Sequence, residues 1–190
     1  MAAFGYERKP RAEIVAGMVH PTAPRLGLLA GTSDLEIQKK MARRYGELAM
    51  RFLELAVLYP GIEGLLRDLK GLGLPLAVLS NSEGIFVRTI LERLEVARYF
   101  FLLMGEEDMP APKPDPRGLH RILELAGCRP QRAVYVGDSR TDLETARAAG
   151  VQAVGVTWGA HPRVELEELG WNALVEEPSQ LFALLKAARY

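Results

Sequence analysis

The stretch Ala133-Val134-Tyr135-Val136-Gly137-Asp138-Ser139-Arg140-Thr141-Asp142 decides how the rest of the chain is read. Residues 133–136 form a short run of β-branched, aromatic and small apolar side chains. It ends at a glycine, a carboxylate and a hydroxyl, and residues 141–149 then follow a helical pattern stopped by Gly150. Such a run meeting turn residues reads as a strand, and a helix directly behind it completes a strand–turn–helix unit. The same grammar repeats outward. Residues 116–126 predict a helix with Gly127 just past its end, 100–104 a strand and 82–94 a helix. The continuous apolar run 74–79 predicts a strand buried on both faces, and 62–69 predicts a helix ending at Gly71 or Gly73. Downstream, 151–156 predicts a strand and 180–188 a closing helix. Strands alternating with helices predict an α/β fold with a doubly wound parallel sheet.

Before Tyr59-Pro60-Gly61 the patterns are helical only. Arg11 to Met18 reads as a short amphipathic helix. Residues 19–32, with two prolines and two glycines, read as a loop. A long helix is expected from about Ser33 to Leu55, with Ser33 as N-cap and Glu36 completing a capping box. Its apolar positions Ile37, Met41, Tyr45, Leu48, Phe52 and Leu55 recur at three or four residues, as one buried stripe should.

Composition narrows the function classes. The chain has 190 residues, 48% hydrophobic and 25% charged, enough for one domain or a core with a small insert. Apolar runs such as Tyr99 to Met104 fall far short of the roughly 18 residues that span a bilayer, so no membrane partner is expected. No basic start followed by an apolar stretch marks a secretory signal, and a cytoplasmic location is expected. Twenty-four basic residues balance 24 acidic ones with no block of like charge, which excludes the electrostatic footprint of nucleic-acid binding. The single cysteine, Cys128, excludes a disulfide framework within the chain and a multi-cysteine zinc site.

In open parallel sheets, ligands bind beyond the carboxyl ends of the strands, and three features fall there. Strand 74–79 runs into Ser80-Asn81-Ser82. The loop Ala111-Pro112-Lys113-Pro114-Asp115-Pro116 precedes helix 116–126. Strand 133–136 runs into Gly137-Asp138. A hydroxyl with backbone N–H groups at a strand–helix junction can hold phosphate oxygens. A lysine between prolines is a positioned cation. Asp138 and Asp142, four apart at a strand end and in the first helical turn, suit a hard cation such as Mg²⁺. Taken singly, Ser80 and Asn81 could cap a helix, Lys113 could be a solvated loop lysine, and the aspartates could complement a helix N-terminus. His20, His120 and His161 have no serine or cysteine partner in a recognisable motif. The order of the three features on three strand ends is what points to phosphate chemistry.

Leu79-Ser80-Asn81, Lys113-Pro114-Asp115-Pro116 and Val136-Gly137-Asp138-Ser139 followed by Asp142 resemble motifs II, III and IV of the haloacid dehalogenase-like hydrolases, closest to the phosphoglycolate phosphatase-like branch. The resemblance implies a Rossmann-like core over residues 56–190 and a partial helical cap over 1–55. It implies a Mg²⁺-dependent phosphatase acting on a small phosphorylated metabolite through an aspartyl-phosphate. By that resemblance Ser80, Asn81 and Lys113 bind phosphate, Ser80 and Lys113 take part in catalysis, and Asp138 and Asp142 bind Mg²⁺. One departure matters. The family carries Asp-x-Asp-Gly-Thr at the end of its first strand, the first aspartate being the nucleophile. The six aspartates here, Asp34, Asp68, Asp108, Asp115, Asp138 and Asp142, include no Asp-x-Asp pair.

The chain alone is therefore expected to be inactive, with the motif I strand upstream of Met1. The alternative is a degenerate module that binds phosphate or a partner without turnover; a receiver-like signalling domain fits less well, because it too needs acidic residues at its first strand's end. In the family the motif I strand lies between the strands ending at Ser80 and Gly137. Without it those neighbours would stand two strand spacings apart, about 9.6 Å, and the protein would be prone to associate. Substrate and oligomeric state stay open at this level.

Overall fold

A computed structural model describes residues 4–17 and 20–187. In chain order the helices and strands are α1 (Arg11–Ala16), α2 (Thr22–Ala30), α3 (Leu35–Arg51), α4 (Ile62–Gly71), β1 (Leu76–Leu79), α5 (Gly84–Arg93), β2 (Phe100–Met104), α6 (Arg117–Leu125), β3 (Val134–Gly137), α7 (Arg140–Ala148), β4 (Gln152–Val156), α8 (Arg163–Glu167), β5 (Ala173–Val175) and α9 (Pro178–Ala187). The expected ends of the first and last helices, Met18 and Ala188, lie outside the described residues.

The fold is α/β, with all strand pairs parallel. β4 shows how the chain winds on both faces. Ala153 packs into one cluster with Leu119 and Leu123 of α6 and Leu143 and Ala146 of α7. Val154 and Val156 pack into another with Leu65 and Leu69 of α4 and Leu181 and Leu185 of α9. Successive strand side chains point to opposite faces, so one apolar strand serves two helical layers.

The strands form two sheets. β1 pairs with β2, and β3–β4–β5 form the other. Among the described residues β1 and β3 do not pair. A cavity of about 870 Å³ lies between them, lined by Leu76 to Leu79 on one side and Val134 to Val136 on the other. Among the described residues, no strand from 1–55 occupies it. β1 is half-buried at each of its four residues rather than fully enclosed, because one flank faces this cavity. The strand begins at Leu76 because Pro75, next to it, has no N–H for the ladder.

The N-terminal helices differ from the sequence-based expectation in three ways. Residues 22–30 are a helix, not a loop. Pro24 sits in its first turn, where a missing N–H costs nothing, and Gly31 ends it with φ 68°. Gly27 lies where a Cβ would strike the Gln38 side chain, so its lack of a side chain lets α2 close on α3. Second, α3 is capped by Asp34, not Ser33: Asp34 accepts hydrogen bonds from the Glu36 and Ile37 amides. Third, the stripe is buried at one end only. Met41 is 3% exposed, whereas Tyr45, Phe52 and Leu55 are exposed. α8 and β5 carried too little pattern to be foreseen. β5 has three residues, and its pairing is extended by Asn172, whose side chain accepts from the Ala153 amide at 2.8 Å while its own amide donates to the Ala153 carbonyl at 3.0 Å.

The loops that carry the candidate site are set by close backbone packing. A Cβ on Gly105, just past β2, would collide with the backbone of Gly84 at the start of α5. Neither side can yield, so Gly105→Ala is expected to destabilise the protein by about 1–3 kcal/mol, read as a lower denaturant midpoint with unchanged slope.

Candidate active site

Each candidate residue is placed by the end of a strand. After β1, Ser80 continues the ladder by donating its amide to the Met104 carbonyl at 3.0 Å. Its hydroxyl accepts from the Ser82 amide at 3.1 Å, closing a tight turn. That turn aims Asn81 at the loop before α6. Asn81 Oδ1 accepts from the Lys113 amide at 2.8 Å, and its Nδ2 donates to the Lys113 carbonyl at 3.1 Å. A side-chain amide matching both groups of one residue fixes where that residue's side chain starts.

Lys113 then reaches the end of β3. Its Nζ donates to Asp142 Oδ1 at 2.7 Å and to the Tyr135 hydroxyl at 3.3 Å. The Tyr135 hydroxyl donates to the same Asp142 oxygen at 3.1 Å. The other oxygen, Oδ2, accepts from the Ser139 hydroxyl at 2.6 Å and the Asp138 amide at 3.2 Å. Ser139 also caps α7, accepting from the Asp142 amide. Gly137 makes this possible: a Cβ there would run into the Asp142 side chain. Asp138 turns the other way. Its Oδ2 accepts from the Ala160 amide at 2.5 Å, and a Cβ on Gly159 would strike its carboxyl group. The loop after β4 therefore lies against Asp138.

The charges at the centre are buried. The Lys113 and Asp142 side chains are 12% and 8% exposed. Burial works against the ammonium, but the Tyr135 hydroxyl and Asp142 carboxylate facing it hold its pKa above the ordinary lysine range. Burial likewise opposes the Asp142 carboxylate, and is outweighed by Lys113 and the Ser139 and Tyr135 hydroxyls, so its pKa lies below the usual range. Burial raises the Tyr135 phenol, which stays neutral and donates. The result is a net-neutral cluster that fixes the Lys113 ammonium at the carboxyl ends of β1 and β3.

The structure thus brings Asn81, Lys113 and Asp142 together, with Ser80 in the adjoining turn. It gives the two aspartates different surroundings. Asp142 has both oxygens engaged by protein donors, whereas Asp138 presents its carboxylate toward the 157–160 loop. Asp138 is a hard oxygen donor of the kind Mg²⁺ takes. Among the described residues, however, no group of three or more acidic, histidine or cysteine side chains could hold a metal, so the donor set is right in kind and short in number. Tyr135, Ser139 and Gly159 did not emerge from the sequence as site residues. For Tyr135 the available signal was a hydroxyl inside an otherwise apolar strand.

The site therefore gathers a lysine, a hydroxyl turn and two aspartates at strand ends of a parallel α/β core. A family model for haloacid dehalogenase-like hydrolases matches residues 1–156, and the chain belongs to that family. It is 39% identical over 123 residues to the phosphoglycolate phosphatase of Escherichia coli K12, covering 65% of this chain and 48% of the relative. It is 41% identical over 106 residues to the phosphoglycolate phosphatase of Pseudomonas putida KT2440, covering 56% of this chain and 39% of the relative. The matched stretch thus spans under half of these relatives' length. Among solved structures, a hydrolase of subfamily IA, variant 1, from Geobacter sulfurreducens superposes with TM-score 0.73 at 27% identity, covering 97% of this chain and 86% of that one. A haloacid dehalogenase-like family hydrolase from Streptococcus pneumoniae superposes with TM-score 0.82 at 21% identity, covering 96% and 85%, and shares the fold.

Two outcomes follow from the buried cluster. Asp142→Asn leaves the Lys113 charge unpaired and is expected to cost about 3–5 kcal/mol near neutral pH. Asp142's folded pKa is depressed, so its contribution is present above the unfolded value of about 3.9 and is lost as pH falls below it. Lys113's is raised, so its contribution is full below about 10.4 and is lost as pH climbs through the higher folded value. Denaturation of parent and variant across pH should show the gap widest between these limits and closing in acid. Tyr135→Phe removes a hydroxyl bonded to both charges and should cost about 1.5–3 kcal/mol in the same measurement.

Proposed function

We propose that the chain carries the phosphate-binding part of a Mg²⁺-dependent phosphatase for a small phosphorylated metabolite. The observation that carries this reading is Lys113, clamped at its backbone by Asn81 and held at its ammonium by Asp142 and Tyr135, at the carboxyl ends of two parallel strands. In this role Lys113 offsets charge on the phosphoryl group, the Ser80 hydroxyl donates to a phosphate oxygen, and the main chain at Asn81 lies beside it. The Asn81 side chain acts by positioning Lys113. Asp138 is the residue that would hold Mg²⁺, with Asp142 as the anchor beside it; when bound, the metal supplies further charge neutralisation at the phosphate. Phosphoglycolate, from the names of the relatives, is the first substrate to test.

The helices of residues 1–55 are proposed as a partial cap contributing substrate contacts. They meet the core at Thr22, whose amide faces Glu106, a carboxylate with its pKa raised by burial and by Glu83. Among the described residues no helix is long and apolar enough to cross a membrane, and we place the protein in the cytoplasm without membrane or nucleic-acid partners.

Hydrolysis in this family begins with an aspartate attacking phosphorus, and none of the six aspartates here has the Asp-x-Asp spacing. We therefore propose that this chain alone does not turn over. The same observation, with Lys113 already neutralised by Asp142, also favours a second reading, a non-catalytic module that binds phosphate or a partner. The 190-residue chain with a generic phosphomonoester and Mg²⁺ is expected to show no rate above background, a deficit of roughly 10⁴ or more. Robust turnover abolished by Asp138→Ala would overturn this. Calorimetry with inorganic phosphate should show binding that weakens in Lys113→Met; no binding by the parent chain would remove the phosphate-binding form of both readings.

A further inference from the structure

We propose that the seat of α2 and α3 on the core is proton-sensitive: it closes when the Glu106 carboxyl carries a proton and loosens when Glu106 is ionised. Glu83 and Glu106, both from the core, face these helices. Glu106 lies just past β2 and is half-buried, and the Thr22 amide of α2 faces its carboxyl group. Thr22 is buried, and Pro21 before it has no side chain that could cap the helix, so Glu106 stands where a capping group would. Glu83 precedes α5 and points at α3: its Oε2 lies 3.7 Å from where a Cβ on Gly46 would stand. The segments that carry the two acids touch. The Glu106 amide donates to the Ser82 carbonyl at 2.9 Å, and Gly105 meets Gly84 backbone to backbone.

The charges around Glu106 do not balance. Arg25 of α2 is the cation that faces it, and that guanidinium also lies over the Tyr45 ring of α3, 5.0 Å from its centre. Against it stand Glu83 and Glu107. Arg88, on α5, is taken by Glu107 and Asp108, both at 3.2 Å. Burial and the like charge of Glu83 outweigh the Thr22 amide and Arg25, so the Glu106 pKa lies above the ordinary carboxyl range while the helices are seated. With the helices lifted, Glu106 returns to water and to its ordinary value of about 4.3. The seated value is the higher one, so the seated form binds the proton more tightly. Seating is therefore fully favoured below about pH 4.3 and weakens as pH climbs through the raised value.

The other end of the helical pair is held. Arg93, in the last turn of α5, donates to the Ala56 and Glu54 carbonyls at 2.8 and 2.6 Å, which clamps the segment joining α3 to α4. A change in seating therefore turns α2 and α3 about this fixed point and is largest where Glu83 and Glu106 meet them. That contact adjoins the turn carrying Ser80, because Ser82 bonds both the Glu106 amide and the Ser80 hydroxyl.

The test is amide hydrogen exchange of the full chain from about pH 5 to about pH 7.5, expressed as protection factors so that the intrinsic pH dependence of exchange is removed. Over this rise protection in α2 and α3 should fall by about threefold or more, while β4 keeps its own. Glu106→Gln retains an acceptor for the Thr22 amide without the charge, and should hold the acid level of protection across the whole range. Glu83→Gln removes the like charge and should raise protection in α2 and α3 at about pH 7.5 by about twofold or more. If Glu106→Gln does not fold, the Glu83→Gln comparison decides. The proposal is overturned by protection in α2 and α3 that does not change with pH, by a pH dependence that survives in Glu106→Gln, or by no gain in Glu83→Gln. A parallel loss in β4 would also overturn it, since that marks unfolding of the core and not movement of the helices. No readout involves phosphate or Mg²⁺, so the result stands apart from the function proposed above.

Discussion

The ion pair between Lys113 and Asp142 joins two parts of the sheet that no strand pairing joins. β1 and β3 have no shared ladder, yet Asn81, at the end of one, holds Lys113 by its backbone, and Asp142, beyond the end of the other, holds its ammonium. The pair lies almost wholly out of water, where opposite charges at this distance attract strongly and where either one alone is costly. The site and the connection between the two sheets thus rest on the same contact. The remaining connection is hydrophobic, through α4 and α9 on one face and α6 on the other.

Around that pair, geometry is set by what is missing as much as by what is present. Gly137 lets Asp142 fold back over the end of β3, and Gly159 lets the loop after β4 approach Asp138. A side chain at either would push a carboxylate out of place. The two aspartates thereby take different environments: four donors surround Asp142, from Lys113, Tyr135, Ser139 and the Asp138 amide, while Asp138 takes the Ala160 amide. A buried carboxylate with four donors is an anchor for its lysine, whereas the outer carboxylate faces the loop after β4. Nothing in the four-residue spacing of the pair foretold this division.

Much of the fold was legible because its signals are local. Apolar runs of four to six residues, glycines just past helix ends and the switch from strand to helix period located β1 to β4, α4 to α7 and α9 within a few residues. The Ser80, Lys113, Asp138 and Asp142 positions were legible for a related reason: in a parallel sheet each strand's carboxyl end opens on one side, so motif residues after successive strands must come together. The reading failed where a signal depended on a neighbour. Pro24 and Gly27 suggested a loop, but a proline in a first helical turn and a glycine at a helix crossing are both compatible with α2 once α3 lies against it.

The sequence by itself determined the alternation of elements, the order of the motifs and the absence of an Asp-x-Asp pair, because each is a property of adjacent residues. Only the tertiary structure decided that Asn81 serves Lys113 rather than facing outward, that Tyr135 shares the buried charge pair, and that β1 and β3 line the same cleft. Those facts join residues 22 to 58 positions apart, Tyr135 and Asn81 being separated from Lys113 by 22 and 32 and β1 from β3 by the 58 between Leu76 and Val134. Hydrogen-bond geometry and burial act over a few ångströms in space, and no local periodicity encodes which distant residues will share that space.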